Sequence, residues 1–407
     1  MTAAPTTATD RRGAPIGRPG ERLPSLTGMR VLAGFGVFST HIIALGLFAD
    51  PMAMMSYIHY AANSGVFGVG FFFVLTGFVV TWTAAAGDTA GKFWRRRFFK
   101  LIPNHIVVYL IILALWLPTE VPINTLAAIA GFFLVTAWSP SQDILFGNLN
   151  GPMWSANIDV LAYAVFPLLY FLIKKIRPNR LWAWAVGMVA LAALVPLVAH
   201  NFLPDGPPSL TAPDISWPQH WFGFYFPLTR AIEFVLGILM ARILLTGRWI
   251  GITALPAALV TAGVYLATLD VPIFHGYTVI PLIPIAILIP AMAYSDMLGH
   301  RTLVNSRFMV WLGDRMYAFF VTHITVLFMA HAALNGENGV VGMYTQKQFS
   351  TGAVVLVVAA LYVLCVLVAQ LLYVAVERPA MRRWSRSAKD RAEARAQRER
   401  QQAVLQS

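Results

Sequence analysis

Apolar stretches of about 20 residues recur along almost the whole chain, and nothing else in the sequence constrains its fold as strongly. A helix of that length spans the roughly 30 Å hydrocarbon core of a bilayer. Candidate segments lie near 29–48, 65–86, 101–117, 124–138, 154–173, 181–200, 228–246, 249–269, 277–295, 308–332 and 351–376. The runs are continuous rather than alternating, which argues against a transmembrane β-barrel. Of 407 residues, 58% are hydrophobic and only 12% charged, so no soluble domain of useful size is left over. The expected fold is all-α: a polytopic integral-membrane helical bundle.

Charge placement sets the expected topology, because Lys and Arg accumulate in cytosolic loops. If the segment near 124–138 does not cross, every basic cluster falls on one side: the N-terminal arginines, Lys92 through Lys100, Lys174 through Arg180, Arg242 and Arg248, Arg301 and Arg307, and the C-terminal tail. The opposite loops then carry Asp50, Glu120, Asp143, Asp205, Asp214, Asp270 and Glu337, with Lys347 as their only base. That segment is also short and flanked by Pro122 and Pro140, so it reads as a re-entrant or interfacial helix. About ten spans follow, with both termini cytosolic and the chain multi-pass in the plasma membrane. Residues 1–22 read as a disordered tail without the apolar core of a signal peptide. Residues 23–381 form the membrane domain. Residues 382–407 form a basic tail suited to membrane lipids rather than nucleic acid. The only cysteine, Cys365, excludes an intramolecular disulfide, and no internal repeat of the kind that builds many transporters is visible.

Within this apolar chain, Arg30 and His41 stand out. Both fall on the first expected span, and charged or titratable side chains in lipid are costly enough to face protein or water. Eleven residues at about 100° each place them within roughly 20° of one another, about 16 Å apart along the axis. They cannot touch, yet they share a face: a cation near the cytosolic boundary and a titratable ring deeper in. The bland alternatives are a snorkelling arginine and a buried histidine bonded to a neighbouring helix.

Other segments give this pair a context. Leu26-Thr-Gly-Met-Arg30 to His41 resembles the opening motif of the membrane-bound acyltransferase-3 family, the O-acyltransferases of bacterial surface sugars and some antibiotics. Further blocks resemble that family in order: Gly68 through Phe78, Arg96-Arg97-Phe-Phe-Lys100 to Pro103, Trp154-Ser155-Ala-Asn157-Ile-Asp159 with Phe166-Pro167, Arg230 through Gly237, Leu312-Gly313 through Tyr317 to His323, and Glu377-Arg378-Pro379. The sequence departs from the family at three places. Gly70 stands where an Asp is common, Lys100 replaces the second Arg of an Arg-x-x-Arg pair, and Asp159 replaces a Glu.

The resemblance implies an acyltransferase that moves an acyl group, acetyl in the first instance, from cytosolic acyl-CoA to a hydroxyl of a carbohydrate or a natural product such as a macrolide. It implies His41 as the general base, with Arg30 beside it in catalysis or binding a donor phosphate. Arg97 and Lys100, with Arg96, would hold the phosphates of the donor. Asp159, Trp154 and His323 would contact the acceptor, although a satisfied core histidine is the plainer reading of His323. Arg95 serves topology, and Arg230 and Glu233 read as an ion pair within the bundle. No tightly bound cofactor is expected, and no His or Cys cluster has metal-ligand spacing. A transporter or flippase using Arg30 and His41 as a proton-coupled pair is the alternative from another class.

Overall fold

The computed structural model describes residues 19–84, 87–118, 122–271, 279–335 and 347–385. Most of both predicted tails, and Glu120 and Glu337, lie outside them. The described chain is a helical bundle. Its helices are α1 Pro24–Ile42, α2 Pro51–Trp82, α3 Ala90–Trp116, α4 Thr125–Phe132, α5 Gln142–Phe146, α6 Trp154–Ile173, α7 Leu181–Phe202 and α8 Trp217–His220. They continue as α9 Pro227–Leu245, α10 Ala254–Ala267, α11 Leu282–Met297, α12 Arg307–Gly313, α13 Met316–Asn335, α14 Thr351–Leu372 and α15 Arg378–Trp384. Strands β1 Pro208–Ser209 and β2 Ala212–Ser216 form one antiparallel hairpin.

Seven stretches are long and apolar enough to cross a membrane: Pro24–Leu45, Pro51–Trp82, Ala90–Trp116, Gly151–Ile173, Pro178–Phe202, Met316–Leu334 and Thr351–Trp384. Helices α10 and α11 are apolar but shorter. Helix α9 has 19 residues, and Arg230, Glu233 and Arg242 interrupt its apolar character. The protein is thus an all-α, multi-pass membrane protein. Helix α4 has 8 residues, about 12 Å of rise, far too short to cross. It is tied to α3 instead, by His105 Nε2 at 3.0 Å from the Phe132 carbonyl and by the Tyr109 hydroxyl, which donates to that of Ala128.

Several boundaries differ from the apolar runs, each for a physical reason. Helix α1 starts at Pro24, where a missing N–H costs nothing, and ends at Ile42, so His41 lies in its last turn rather than mid-span. Helix α2 starts at Pro51 behind an Asp50 cap that accepts from the Met52 N–H at 2.9 Å, fourteen residues before the apolar run. Helix α3 starts at Ala90 behind Thr89, eleven residues before the apolar run, so the basic motif is helical. Its cations lower the local hydropathy without breaking the helix. The run 308–332 is broken at Asp314 and Arg315 into α12 and α13.

Glycines set the central crossings. A Cβ at Gly77 would lie 2.0 Å from the Phe234 carbonyl oxygen, and one at Gly237 would lie 2.0 Å from that of Val74. Helices α2 and α9 therefore meet backbone to backbone, as small residues permit in membranes. Helices α1 and α2 are joined by polar contacts: Ser64 Oγ donates to the Gly36 carbonyl at 2.7 Å, and Thr40 Oγ1 to that of Ala61 at 2.8 Å. One apolar core gathers α2, α7, α9 and α11; a second gathers α1, α3, α13 and α14. At one end, an aromatic cap holds Trp154 against Phe224 and Tyr225. In the same cap His220 Nδ1 lies 2.7 Å from Ser209 Oγ, and burial pushes this ring down to about 4.

Candidate active site

Between the two cores lies a cavity of about 770 Å³, within the range that buries a small organic ligand. Its walls come from α1, α2, α3, α6, the α12–α13 junction at Gly313 and Asp314, α13 and the chain from Tyr373 to Ser385. Arg30, Arg96, Arg97, Lys100 and Asp159 all line it. Five residues read from sequence as one site, drawn from three helices, therefore share one space.

The cations are not equivalent. Arg96 Nη1 donates to Asp88 Oδ1 at 2.9 Å. Lys100 is ion-paired with Glu377, whose other oxygen accepts from Asn104 Nδ2 at 2.7 Å. Arg97 and Arg30 have no carboxylate within ion-pair distance among the described residues. The Arg97 guanidinium lies 5.4 Å from the Phe93 ring centroid and 5.6 Å from that of Tyr163, and its Nε is buried without a hydrogen-bond partner. Aromatic faces hold a cation in place without neutralising it. Arg95, by contrast, donates from Nε to the Trp384 carbonyl at 2.6 Å and is exposed, as suits a topology marker.

Farther along the wall, Asp159 and Tyr163 sit one helical turn apart on α6 and both face Thr76 of α2. Trp154 does not line this cavity; its ring packs into the aromatic cap, 4.8 Å from that of Tyr225 and 6.4 Å from that of Phe73, which does line it.

His41 and His323 also stand outside the wall, yet next to each other. His41 Nδ1 is 3.0 Å from His323 Nε2, and His323 Nδ1 is 2.8 Å from the Phe320 carbonyl. Phe320 lines the cavity, so the pair lies just beyond it. The backbone carbonyl of Val37, one turn before His41, also accepts from that ring. Among the described residues, no group of three or more His, Cys, Asp or Glu is placed to hold a metal.

Sequence reasoning missed three cavity residues and one role. Tyr163 was legible as the i+4 neighbour of Asp159. Asp314 was legible as an acid beside Arg315 inside the apolar run 308–332. Thr76 was overshadowed by Gly77. Glu377 was legible only as part of the closing Glu377-Arg378-Pro379 block; a π-helical turn over Tyr373–Glu377 turns it inward to Lys100.

Comparisons with known proteins place the chain in a family. The chain is 37% identical to the acyltransferase MdmB of Streptomyces mycarofaciens over 89% of its length and 92% of that protein. It is 30% identical to the peptidoglycan O-acetyltransferase OatA of Listeria monocytogenes and 26% identical to the O-acetyltransferase OatA of Staphylococcus aureus. Each of these matches covers 42% of this chain and less than a third of the longer relative. No solved structure matches. The model of the acyltransferase domain family, acyltransferase 3, matches residues 23–374, and the chain belongs to that family of membrane-bound acyltransferases.

Proposed function

We propose that this O-acyltransferase takes an acyl group, acetyl in the first instance, from cytosolic acyl-CoA and transfers it to a hydroxyl of a carbohydrate or a hydroxylated natural product such as a macrolide. The observation that carries the donor assignment is the pair Arg30 and Arg97: two arginines without carboxylate partners on the wall of one cavity. A guanidinium fork matches phosphate oxygens better than any other side chain, and the aromatic faces beside Arg97 hold its plane. Lys100 and Arg96 share the wall and strengthen its positive field, while Glu377 and Asp88 hold them in place.

The chemistry then needs a base beyond the phosphates. His41 takes the proton of the acceptor hydroxyl, the oxygen attacks the thioester carbonyl, the C–S bond breaks, and the proton ends on the departing thiol. Asp159 contacts the acceptor, and Trp154 anchors the aromatic cap above it. We place ten crossings in the plasma membrane, adding α9, α10 and α11 to the seven long stretches, with both termini cytosolic.

The test is incubation of the purified protein in lipid nanodiscs with labelled acetyl-CoA and a panel of hydroxylated acceptors. The expected products are free CoA and an acyl ester. His41→Ala is expected to insert normally and lose turnover by about 100-fold or more. Label that moves across the membrane without ester formation supports a transporter instead, and wild-type turnover in His41→Ala removes the base assignment.

A further inference from the structure

We propose that His323 is a positioning residue that fixes the tautomer of His41 and leaves His41 Nε2 as the basic nitrogen. The inference rests on the reading of His41 as general base and adds the group that makes it one.

The argument is a chain of donors and acceptors. A carbonyl oxygen only accepts, so the 2.8 Å contact to Phe320 requires a proton on His323 Nδ1. In a neutral His323 ring, Nε2 is then bare. The 3.0 Å contact between His323 Nε2 and His41 Nδ1 holds one proton, which therefore belongs to His41 Nδ1. With Nδ1 carrying the proton, Nε2 of His41 presents its lone pair. When Nε2 takes the hydroxyl proton, the Nδ1–H of the new imidazolium remains bonded to His323 Nε2, which spreads the positive charge over two rings. The orienting partner of a catalytic histidine does this work in other enzymes, usually as a carboxylate.

The surroundings of His323 suit a fixed acceptor. It is fully buried, and its ring lies parallel to that of Phe319, tilted by 3° with centroids 5.6 Å apart. The backbone carbonyl at its other nitrogen belongs to Phe320, whose side chain lines the cavity. One residue thus links the cavity wall to the ring that sets the base.

Two variants and one spectrum test this. His323→Phe keeps the stacked ring on Phe319 and removes the acceptor. Its kcat is expected to fall about 10- to 100-fold, the cost of losing an outer partner that orients a histidine, with the KM for acetyl-CoA unchanged. His323→Gln returns an acceptor oxygen near the position of Nε2 and is expected to recover most of the loss. In ¹⁵N-histidine-labelled protein, His41 is expected to be protonated at Nδ1 and bare at Nε2, and to become a mixture of tautomers in His323→Phe. Wild-type kcat in His323→Phe overturns the proposal. So does a loss that His323→Gln fails to recover while the His41 tautomer stays unchanged, which marks a packing role. Activity in His41→Ala defeats the base assignment itself, a separate outcome from either of these.

Discussion

Arg97, half-buried, and Arg230, fully buried, are both set between two aromatic rings, and their remaining surroundings differ. Arg97 lies 5.4 and 5.6 Å from the centroids of Phe93 and Tyr163; Arg230 lies 5.1 Å from those of Phe73 and Phe224. Arg230 has Glu233 at 2.9 Å, on the next turn of its own helix, with side-chain exposures of 1% and 6%. Arg97 has a cavity where Arg230 has its carboxylate. The aromatic setting is common to both, so the counterion separates the ion-paired arginine from the one proposed to receive an anion. A buried charge with its partner beside it is internally balanced; one facing an open cavity is balanced by whatever enters.

The largest effect is expected on the balanced side. Glu233→Ala removes the carboxylate beside the buried Arg230, at a cost of about 3–5 kcal/mol. Thermal unfolding in detergent is expected to shift well downward, and yield with it. Replacing Arg230 and Glu233 together by Met and Leu is expected to cost less than the single change, because no charge is then stranded. A double variant less stable than Glu233→Ala alone contradicts the picture of a balanced pair.

Arg97→Ala comes next, and its effect is expected on activity rather than folding. Losing a charge-assisted contact to the donor costs about 1.5–3 kcal/mol, or roughly 10- to 100-fold, and is expected in the KM for acetyl-CoA. The melting temperature is expected to change little. Arg97→Lys keeps the charge but not the fork, so it is expected to fall between wild type and alanine. A large melting shift in Arg97→Ala with unaltered KM makes Arg97 a second structural arginine and erases the distinction.

Salt separates the two sides without mutation. The proposed donor binding by Arg30 and Arg97 uses an open cavity, so on that proposal raising ionic strength is expected to raise KM; the Debye length falls from about 10 Å at 0.1 M to about 3 Å at 1 M. The Arg230–Glu233 pair, shut away from solvent, is expected to give a melting temperature that salt barely moves. Equal salt sensitivity in both measurements counts against the contrast.

How much of this was legible from sequence follows from the range of the interactions. The shared face of Arg30 and His41 was readable because a helix repeats locally and α1 contains both. The short, non-crossing α4 was readable from length, flanking prolines and charge balance. The ion pair Arg230–Glu233 was readable at i, i+3. Long-range partnerships were not. Glu377 reaches Lys100 across 277 positions and His323 reaches His41 across 282, and no periodicity carries information over such separations. The basic motif was identified as a unit, but its division into paired and unpaired cations depended on Asp88 and Glu377, which pattern alone assigned no such task. The break between α12 and α13 carried a local signal, the adjacent charges Asp314 and Arg315, which the length of the surrounding apolar run masked.

Arg96 provides the finest test, because it stands one residue from Arg97, lines the same cavity and differs chiefly in having Asp88. Its side chain is 34% exposed and that of Asp88 is 16% exposed, so the pair is partly solvated and worth no more than about 1 kcal/mol. Arg96→Gln is expected to change the KM for acetyl-CoA by less than about fivefold and stability by less than about 1 kcal/mol. The contrast with Arg97→Ala then isolates the counterion, since cavity, helix and charge are shared. If Arg96→Gln raises KM as far as Arg97→Ala does, Asp88 does not neutralise Arg96 toward the donor. Recognition would then belong to the whole basic stretch rather than to its unpaired member.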